Sequence, residues 1–229
     1  VLLTTGQAAA ELGCAVTTFR RLIHAGLLPG LSRHGVRVMV PLEVVMALKD
    51  RPVTDLRYLQ VPEIAVLRAD VAPAAVRPGE YVQGFSASLP PDELLAALQG
   101  RWRCNPASVA AGGILPVTLS GYVVAVLSGL QQWTKDSQGR HGFPDAVLAG
   151  YVTDLATPTK HLTAPAARDR QAADRLLGTL LVSHSGGPVA YVPTEAPTRS
   201  NSAHRKRVGG DGSTAVVRRG VEIVEQQWK

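Results

Sequence analysis

Cysteines, aromatic residues and long apolar runs are all scarce in this chain of 229 residues. The two cysteines, Cys14 and Cys104, form neither a Cys-x-x-Cys pair nor a zinc-binding spacing, which argues against a zinc ribbon and a disulfide framework. This usage is typical of a reducing compartment, so we expect a cytoplasmic protein. No window approaches the roughly 18 uninterrupted apolar residues of a membrane span, and no charged segment precedes an apolar one at the N-terminus. We therefore expect neither a membrane partner nor a signal peptide.

Aromatic residues make up only 5% of the chain, whereas apolar residues as a whole make up 45%. The hydrophobic core must therefore be built mainly from Ala, Leu and Val. The length suits two domains of about 100 residues each. The formal net charge of +6 favours a polyanionic partner such as nucleic acid, although the excess is modest for this length. The abundance of Ala, Arg, Gly and Val indicates a bacterial gene of high GC content.

Residues 1–50 contain two short helical patterns joined by a tight turn. The first pattern covers 6–12, with Thr5 as the expected cap, and Gly13 follows it, where a left-handed conformation can end a helix. The second pattern covers 16–25 and has an apolar inner face. Polar and basic side chains occupy its outer face: Thr17, Thr18, Arg20, Arg21 and His24. Two short helices with this division of faces are typical of a helix-turn-helix motif.

Within residues 30–40, Val36, Val38 and Val40 alternate with Arg37 and Met39, which predicts a β-hairpin with a tight turn at His34-Gly35. Basic side chains lie near its tip: Arg33, His34 and Arg37. A third helix is expected over 41–49, where apolar side chains close a small core. The order of helix, helix, basic hairpin and helix predicts a compact DNA-binding unit.

This segment resembles the winged helix-turn-helix of the excisionase and MerR superfamily. An alanine-rich first helix, "LG", a second helix ending in "LIxxGxLP", a basic hairpin and a closing helix are matched without gaps by AAAELGCAVTTFRRLIHAGLLPG…RHGVRVMVPLEVVMAL. The resemblance covers about a fifth of the chain and implies double-stranded DNA as the partner. There are two departures: Ala15 stands where the family often has a Ser or Thr cap, and Val16 replaces a commonly polar residue.

The resemblance makes the polar side chains of the second helix and of the hairpin the candidate DNA contacts: Thr17, Thr18, Arg20, Arg21, His24, Arg33, His34 and Arg37. An arginine in the major groove can donate two hydrogen bonds to guanine, worth about 1–3 kcal/mol of discrimination. Arginines of the hairpin can reach phosphates or a narrow minor groove. A lone surface arginine is usually only solvated, but four arginines grouped within this scaffold favour a DNA-binding role.

The rest of the chain predicts a separate small α+β domain, so the fold class is α+β with an N-terminal winged helix-turn-helix. We expect a Pro-rich connector over 51–80, an α+β domain over 81–192 and a flexible basic tail over 193–229. The connector belongs in part to the second domain and has room for short strands at 58–61 and 65–68. The predicted elements of the second domain are a helix at 90–99, a hairpin at 114–127 turning at Ser120-Gly121, a strand or short helix at 148–156, a helix at 166–182 and a strand at 187–192. The tail contains HRKR at 204–207, which could add nonspecific phosphate contacts.

Catalytic patterns are weak in the second half of the chain. Ser183, His184 and Ser185 are sequence neighbours, which seldom form a nucleophile and its base, and no Gly-x-Ser-x-Gly elbow occurs. The histidines His141, His161 and His184 are dispersed. We therefore expect no catalytic residue, no metal and no cofactor, and we do not expect an enzyme.

Our first hypothesis is a bacterial, nucleoid-associated protein that binds specific DNA sequences as a transcriptional regulator or an excisionase-like architectural factor. Since one such module covers only a few base pairs, we expect a homodimer or binding to tandem sites. The sequence lacks the long heptad helix with which many MerR-type regulators dimerise, which favours an architectural or repressor role. The second domain would supply oligomerisation, a second nucleic-acid contact or ligand sensing.

Two alternatives remain open. One is a DNA-targeted enzyme or defence protein whose C-terminal domain carries the activity. The other is a protein-interaction module with a degenerate helix-turn-helix, for which Arg20, Arg21, Arg33 and Arg37 would not share a face.

Overall fold

The computed structural model describes residues 1–73, 83–184 and 187–194. All of these belong to one compact unit, Val1–Ala196. Apart from its first two residues, the predicted tail lies outside the described residues, and so does its HRKR run. Among the described residues, no helix is both long enough and apolar enough to cross a membrane.

The N-terminal region contains the three predicted helices and the predicted hairpin. Its elements are β1 (Leu2–Thr4), α1 (Thr5–Leu12), α2 (Val16–His24), β2 (Ser32–His34), β3 (Arg37–Pro41) and α3 (Leu42–Lys49). Strand β1 was not predicted; it pairs with β3 and completes a three-stranded sheet in the order β1-β3-β2. In this sheet β3 is the central strand, between β1 and β2, and β2 is an edge strand.

The ends of these elements follow from local hydrogen bonding. The cap of α1 is Thr4 and not the predicted Thr5, because the Thr4 hydroxyl accepts from the Gln7 amide while the Gln7 side chain accepts from the Thr4 amide. Gly13 ends α1 at φ +75°, as predicted. Helix α2 begins at Val16 after Ala15, without a side-chain cap, so the expected departure from the family pattern is confirmed.

A larger, sheet-rich region follows. Its elements are β4 (Glu63–Arg68), α4 (Pro91–Leu98), α5 (Pro106–Gly112), β5 (Leu115–Leu119), β6 (Tyr122–Ser128), β7 (Thr134–Lys135), β8 (His141–Gly142), β9 (Val147–Val152), β10 (Lys160–Leu162), α6 (Ala167–Leu176) and β11 (Val189–Pro193). Six strands form one sheet in the order β10-β9-β6-β5-β4-β11, in which only β4 and β5 are parallel. Strands β7 and β8 form a separate two-stranded ribbon.

The hairpin predicted at 114–127 is confirmed as β5 and β6. Its two turn residues, Ser120 and Gly121, both have positive φ, 54° and 89°. A two-residue turn with this geometry matches the twist of the strands that it joins. The segment predicted as a strand or short helix at 148–156 is the strand β9.

The short strand considered at 65–68 is present as β4, which lies inside the segment expected to be a connector and has Ile64 to Leu67 buried in the sheet. Two features of this region differ from the prediction. Helix α6 stops at Leu176 instead of continuing to residue 182, because the chain turns at Gly178, where φ is +78°. Helix α5 was not predicted, although Asn105 caps it through the amides of residues 107 and 108.

Direct hydrogen bonds join the helix-turn-helix region to the sheet-rich region. The Tyr122 hydroxyl donates to the carbonyl oxygen of Leu48 at 3.1 Å. The Ser120 hydroxyl donates to the carbonyl oxygen of Thr18 at 2.9 Å. The backbone amide of Leu155 donates to the carbonyl oxygen of Leu27 at 3.0 Å. Buried side chains of both regions also belong to one continuous hydrophobic core.

Candidate nucleic-acid interface

Helix α2 has one buried face and one exposed face. Phe19 and Leu22 are completely buried, and Ile23 packs against the same core. On the opposite side, exposed side chains follow at i, i+3, i+4 and i+7: Thr17, Arg20, Arg21 and His24. This spacing brings them onto one face of a helix with 3.6 residues per turn. Burial of the apolar stripe therefore holds the polar side toward solvent.

One flank of α2 faces the sheet-rich region. Thr18 lies there, half-buried, and its carbonyl oxygen accepts the hydrogen bond from Ser120. Arg21 lies on the same flank and pairs with Asp70, with Nε 3.4 Å from Oδ1 and Nη2 3.4 Å from Oδ2. By contrast, within the described residues no hydrogen bond or ion pair engages the side chains of Thr17, Arg20 and His24. The eight candidates are thus not equivalent, because two of those on α2 already have partners in the protein.

The β2–β3 hairpin turns at Gly35 and Val36, one residue later than predicted. The φ of Gly35 is +61°, and Val36 at the tip is fully exposed. In the register, His34 is opposite Arg37 and Arg33 is opposite Val38. Directly opposed residues share a face and adjacent residues alternate, so Arg37 lies on the face of His34, and Arg33 lies on the other face.

This register bears on the alternatives. The protein-interaction alternative expected the four arginines not to share a face, and the two hairpin arginines meet that expectation. Arg20 and Arg21 do not, since both are exposed on the same side of α2.

A cavity of about 560 Å³ opens beside α2. Its lining is mostly polar: Thr18, Arg21, Arg68, Asp70, Thr118, Ser120 and Ser183. Residues at and just beyond the carboxyl ends of the parallel strands β4 and β5 line it, and among the described strands of the sheet these two are the parallel pair. Sequence analysis missed Arg68, Asp70 and Ser120, which no local pattern connects with α2.

The residues considered for metal binding form no metal-holding cluster in the part of the chain that the structure describes. Ser183 lines the cavity beside α2, whereas Ser185 lies outside the described residues. His161 stacks on Tyr151 with ring centroids 4.7 Å apart. Among the residues that the structure describes, no group of three or more His, Cys, Asp or Glu side chains is placed to hold a metal ion. Burial raises the pKa of the Cys104 thiol to about 11, so this thiol is protonated at neutral pH.

The helices and hairpin of the N-terminal region agree with the protein family that this part of the chain matches. Residues 2–51 match the model of a protein family described as a helix-turn-helix domain. Residues 2–51 are an excisionase-like helix-turn-helix domain. The protein therefore carries a DNA-binding helix-turn-helix, as the sequence predicted. No curated protein and no solved structure matches the chain.

Proposed function

We propose that this protein recognises specific sequences of double-stranded DNA, as a transcriptional regulator or an excisionase-like architectural factor. Helix α2 enters the major groove, and the β2–β3 hairpin contacts the DNA backbone or the minor groove. The observation that carries this proposal is the exposed row of Thr17, Arg20 and His24 within a helix-turn-helix domain, whose side chains have no partner among the residues that the structure describes. Its site of action would be the nucleoid in a bacterial cytoplasm.

The side chains of α2 contact different parts of the DNA. Arg20 projects from the outer face and is suited to bidentate hydrogen bonds with guanine, the commonest specific contact of this kind. Thr17, in the first turn of α2, suits a phosphate oxygen or a thymine methyl group. Arg21 reaches DNA from the flank and must leave or share Asp70 in order to do so.

The hairpin offers two different approaches to DNA. His34 and Arg37 present one face of the ribbon, and Arg33 presents the other. We infer that one of these faces meets the phosphate backbone, and that an arginine at the tip enters the minor groove where that groove is narrow.

A single domain of this size reads only a few base pairs, so we infer that specific binding involves a homodimer or tandem sites. Among the described residues, the longest helix is α6 with ten residues. A helix of that length is too short for the extended coiled coil that joins many MerR-type dimers, which supports an architectural or repressor role over effector-sensing activation.

The test is selection of bound sequences from random duplex DNA with the full chain, at two salt concentrations. We compare the unmodified protein with Arg20→Ala/Arg21→Ala, and with Arg168→Ala/Arg175→Ala as a control of equal charge on α6. We expect a sequence motif that the control retains and the α2 variant loses. Equal binding of all sequences by all three proteins would reject sequence reading by α2, and so would a motif that survives in the α2 variant.

We further propose that the protein acts by binding alone. The sequence provides no recognisable nucleophile, base or metal set for catalysis. Supercoiled plasmid incubated with the protein and divalent cations should stay intact, and nicked or linear product would support the alternative of a DNA-targeted enzyme.

A further inference from the structure

We propose that the sheet-rich region carries a second DNA-binding surface, an arginine-lined trough that starts at α2 and continues to the β7–β8 ribbon. This inference rests on the proposed function, because it assigns to the trough the backbone of the same duplex that α2 reads. We call this surface the arginine trough. The arginines that line it are Arg21, Arg68, Arg101 and Arg140, and the exposed Arg103 lies beside them, opposite Arg140.

The far end of the trough is built on the β7–β8 ribbon and on the segment beside it. His141 pairs with Lys135 on one side and forms an isolated antiparallel bridge with Trp102 on the other, so the segment around Trp102 runs alongside β8. Trp102 is 2% exposed and anchors this segment in the core. Because adjacent residues of a strand alternate in direction, Arg101 and Arg103 project from the side opposite to Trp102.

Arg140 belongs to the same face. The antiparallel pairing of Trp102 with His141 places Arg103 opposite Arg140, and directly opposed residues share a face. All three arginines are exposed, and the Arg101 side chain is 72% exposed. Like charges brought together in this way repel one another, so the arrangement costs folding free energy and is compensated when an anion binds.

The ribbon is continuous with α2 through three adjoining depressions. The cavity beside α2 shares Arg68 and Asp70 with a second cavity of about 260 Å³. That second cavity shares Gln83 with a third, of about 500 Å³, which is lined by Arg101 and Arg140. A path along the surface therefore leads from the flank of the recognition helix to the arginines of the ribbon.

The described lining of the trough is predominantly positive. Its acidic residues are Asp70, which pairs with Arg21, and Asp136. Asp136 accepts hydrogen bonds from the backbone amides of Arg140 and Gln138, both at 2.9 Å, so its carboxylate holds the turn between β7 and β8. Its distance to Arg101 is 4.0 Å, at the limit of an ion pair.

The partner that this surface fits is the phosphate backbone of DNA. A guanidinium presents a planar fork of donors that matches a phosphate, and a row of such groups matches a repeating polyanion. Of the described parts of the trough, α2 is the one that we propose to read base edges. The other arginines would contact phosphates, and these contacts would add affinity without sequence preference. Each phosphate that is neutralised adds about 0.9 to the slope of log K against log salt for duplex DNA.

The experiment compares binding of the full chain to a linear duplex several helical turns long, over a salt series. The test variant is Arg101→Ala/Arg103→Ala/Arg140→Ala. The control, Arg57→Ala/Arg168→Ala/Arg175→Ala, removes the same charge at and beside a separate depression that shares no lining residue with the trough. We expect the test variant to bind all sequences more weakly, with a salt slope reduced by about two to three.

A third variant with lysine at the same three positions keeps the charge and should retain most of the salt slope. If this lysine variant folds and binds like the alanine variant, the trough is not an electrostatic surface. Equal slopes for the alanine variant and its control would overturn the inference. Loss of the sequence motif in the α2 variant, with an unchanged slope in the trough variant, would overturn the trough alone. A reduced slope in the trough variant, with a motif that survives in the α2 variant, would keep the trough and reject the proposed function.

Discussion

If α2 reads DNA as proposed, the ion pair between Arg21 and Asp70 places a competitor for DNA at the edge of this helix. The guanidinium faces the carboxylate with two N–O distances of 3.4 Å, and the side chains are 50% and 70% exposed. An ion pair with this much access to water contributes about 0.2–1 kcal/mol. If Arg21 contacts DNA, binding has to replace this pair, and the cost of opening it lowers the affinity.

The variant Asp70→Asn removes the competing charge and keeps the shape of the side chain. Its amide oxygen can still accept from the backbone amide of Val71, as the carboxylate does at 2.9 Å. Released from the pair, Arg21 should bind DNA more tightly, by about 1.4-fold to about fivefold. The gain should be largest at low ionic strength, where exposed charges are screened least. Fluorescence polarisation with the selected duplex and the full chain measures this effect.

A double-mutant cycle tests the reasoning directly. In the Arg21→Ala background, Asp70→Asn should change the affinity little, because the pair no longer exists. An equal gain with and without Arg21 would mean that Asp70 repels DNA by itself. Weaker binding of Asp70→Asn would mean that Asp70 positions Arg21 for DNA, and either result would refute competition.

Three further predictions concern stability, measured by urea unfolding. Ser120→Ala loses the hydrogen bond to Thr18 and should cost about 0.5–1.5 kcal/mol, whereas Ser120→Gly should cost less because glycine tolerates the left-handed conformation; equal costs would contradict this. Burial raises the pKa of Tyr122 from 10.0 to about 12, so the folded state holds this proton more tightly. The stabilisation that this tighter proton binding gives the folded state is complete below pH 10. The free energy of unfolding should fall by about 2–3 kcal/mol between pH 10 and 12, and Tyr122→Phe should remove this fall. Thr4→Ala should cost about 1 kcal/mol by breaking the cap with Gln7, and Thr4→Ser should retain most of it.

The helix-turn-helix domain was predictable because its signals are local. The apolar spacing of α1 and α2, the glycine that ends α1 and the alternating valines of the hairpin each involve residues a few positions apart. Such patterns survive in a single sequence, since 3.6-residue and two-residue periodicities need no knowledge of the partner element. The strand β1 was not predicted, because three residues form a strand only when β3 is there to pair with them.

The sheet-rich region was predicted less completely because its elements depend on distant partners. Prolines at 62 and 73 flank β4 and made its segment resemble a connector with room for only a short strand, although the six residues from Glu63 to Arg68 form an inner strand of the sheet. The leucines after α6 continue an apolar pattern that suits a helix. Leu180 instead forms isolated bridges with Val53 and Tyr122, since the chain must leave the helix at Gly178.

The sequence by itself determined which residues of the N-terminal segment are polar and which face of α2 they occupy, because helix periodicity alone separates Phe19 and Leu22 from Thr17, Arg20 and His24. Only the tertiary structure decided which of the polar residues have partners. Asp70 and Ser120 are 49 and 102 positions away from the α2 residues that they contact, and folding of the sheet brings them there. Contacts between residues so far apart in the chain leave no periodic trace, so the pairing of Arg21 with Asp70 and the depressions beyond it became visible only in three dimensions.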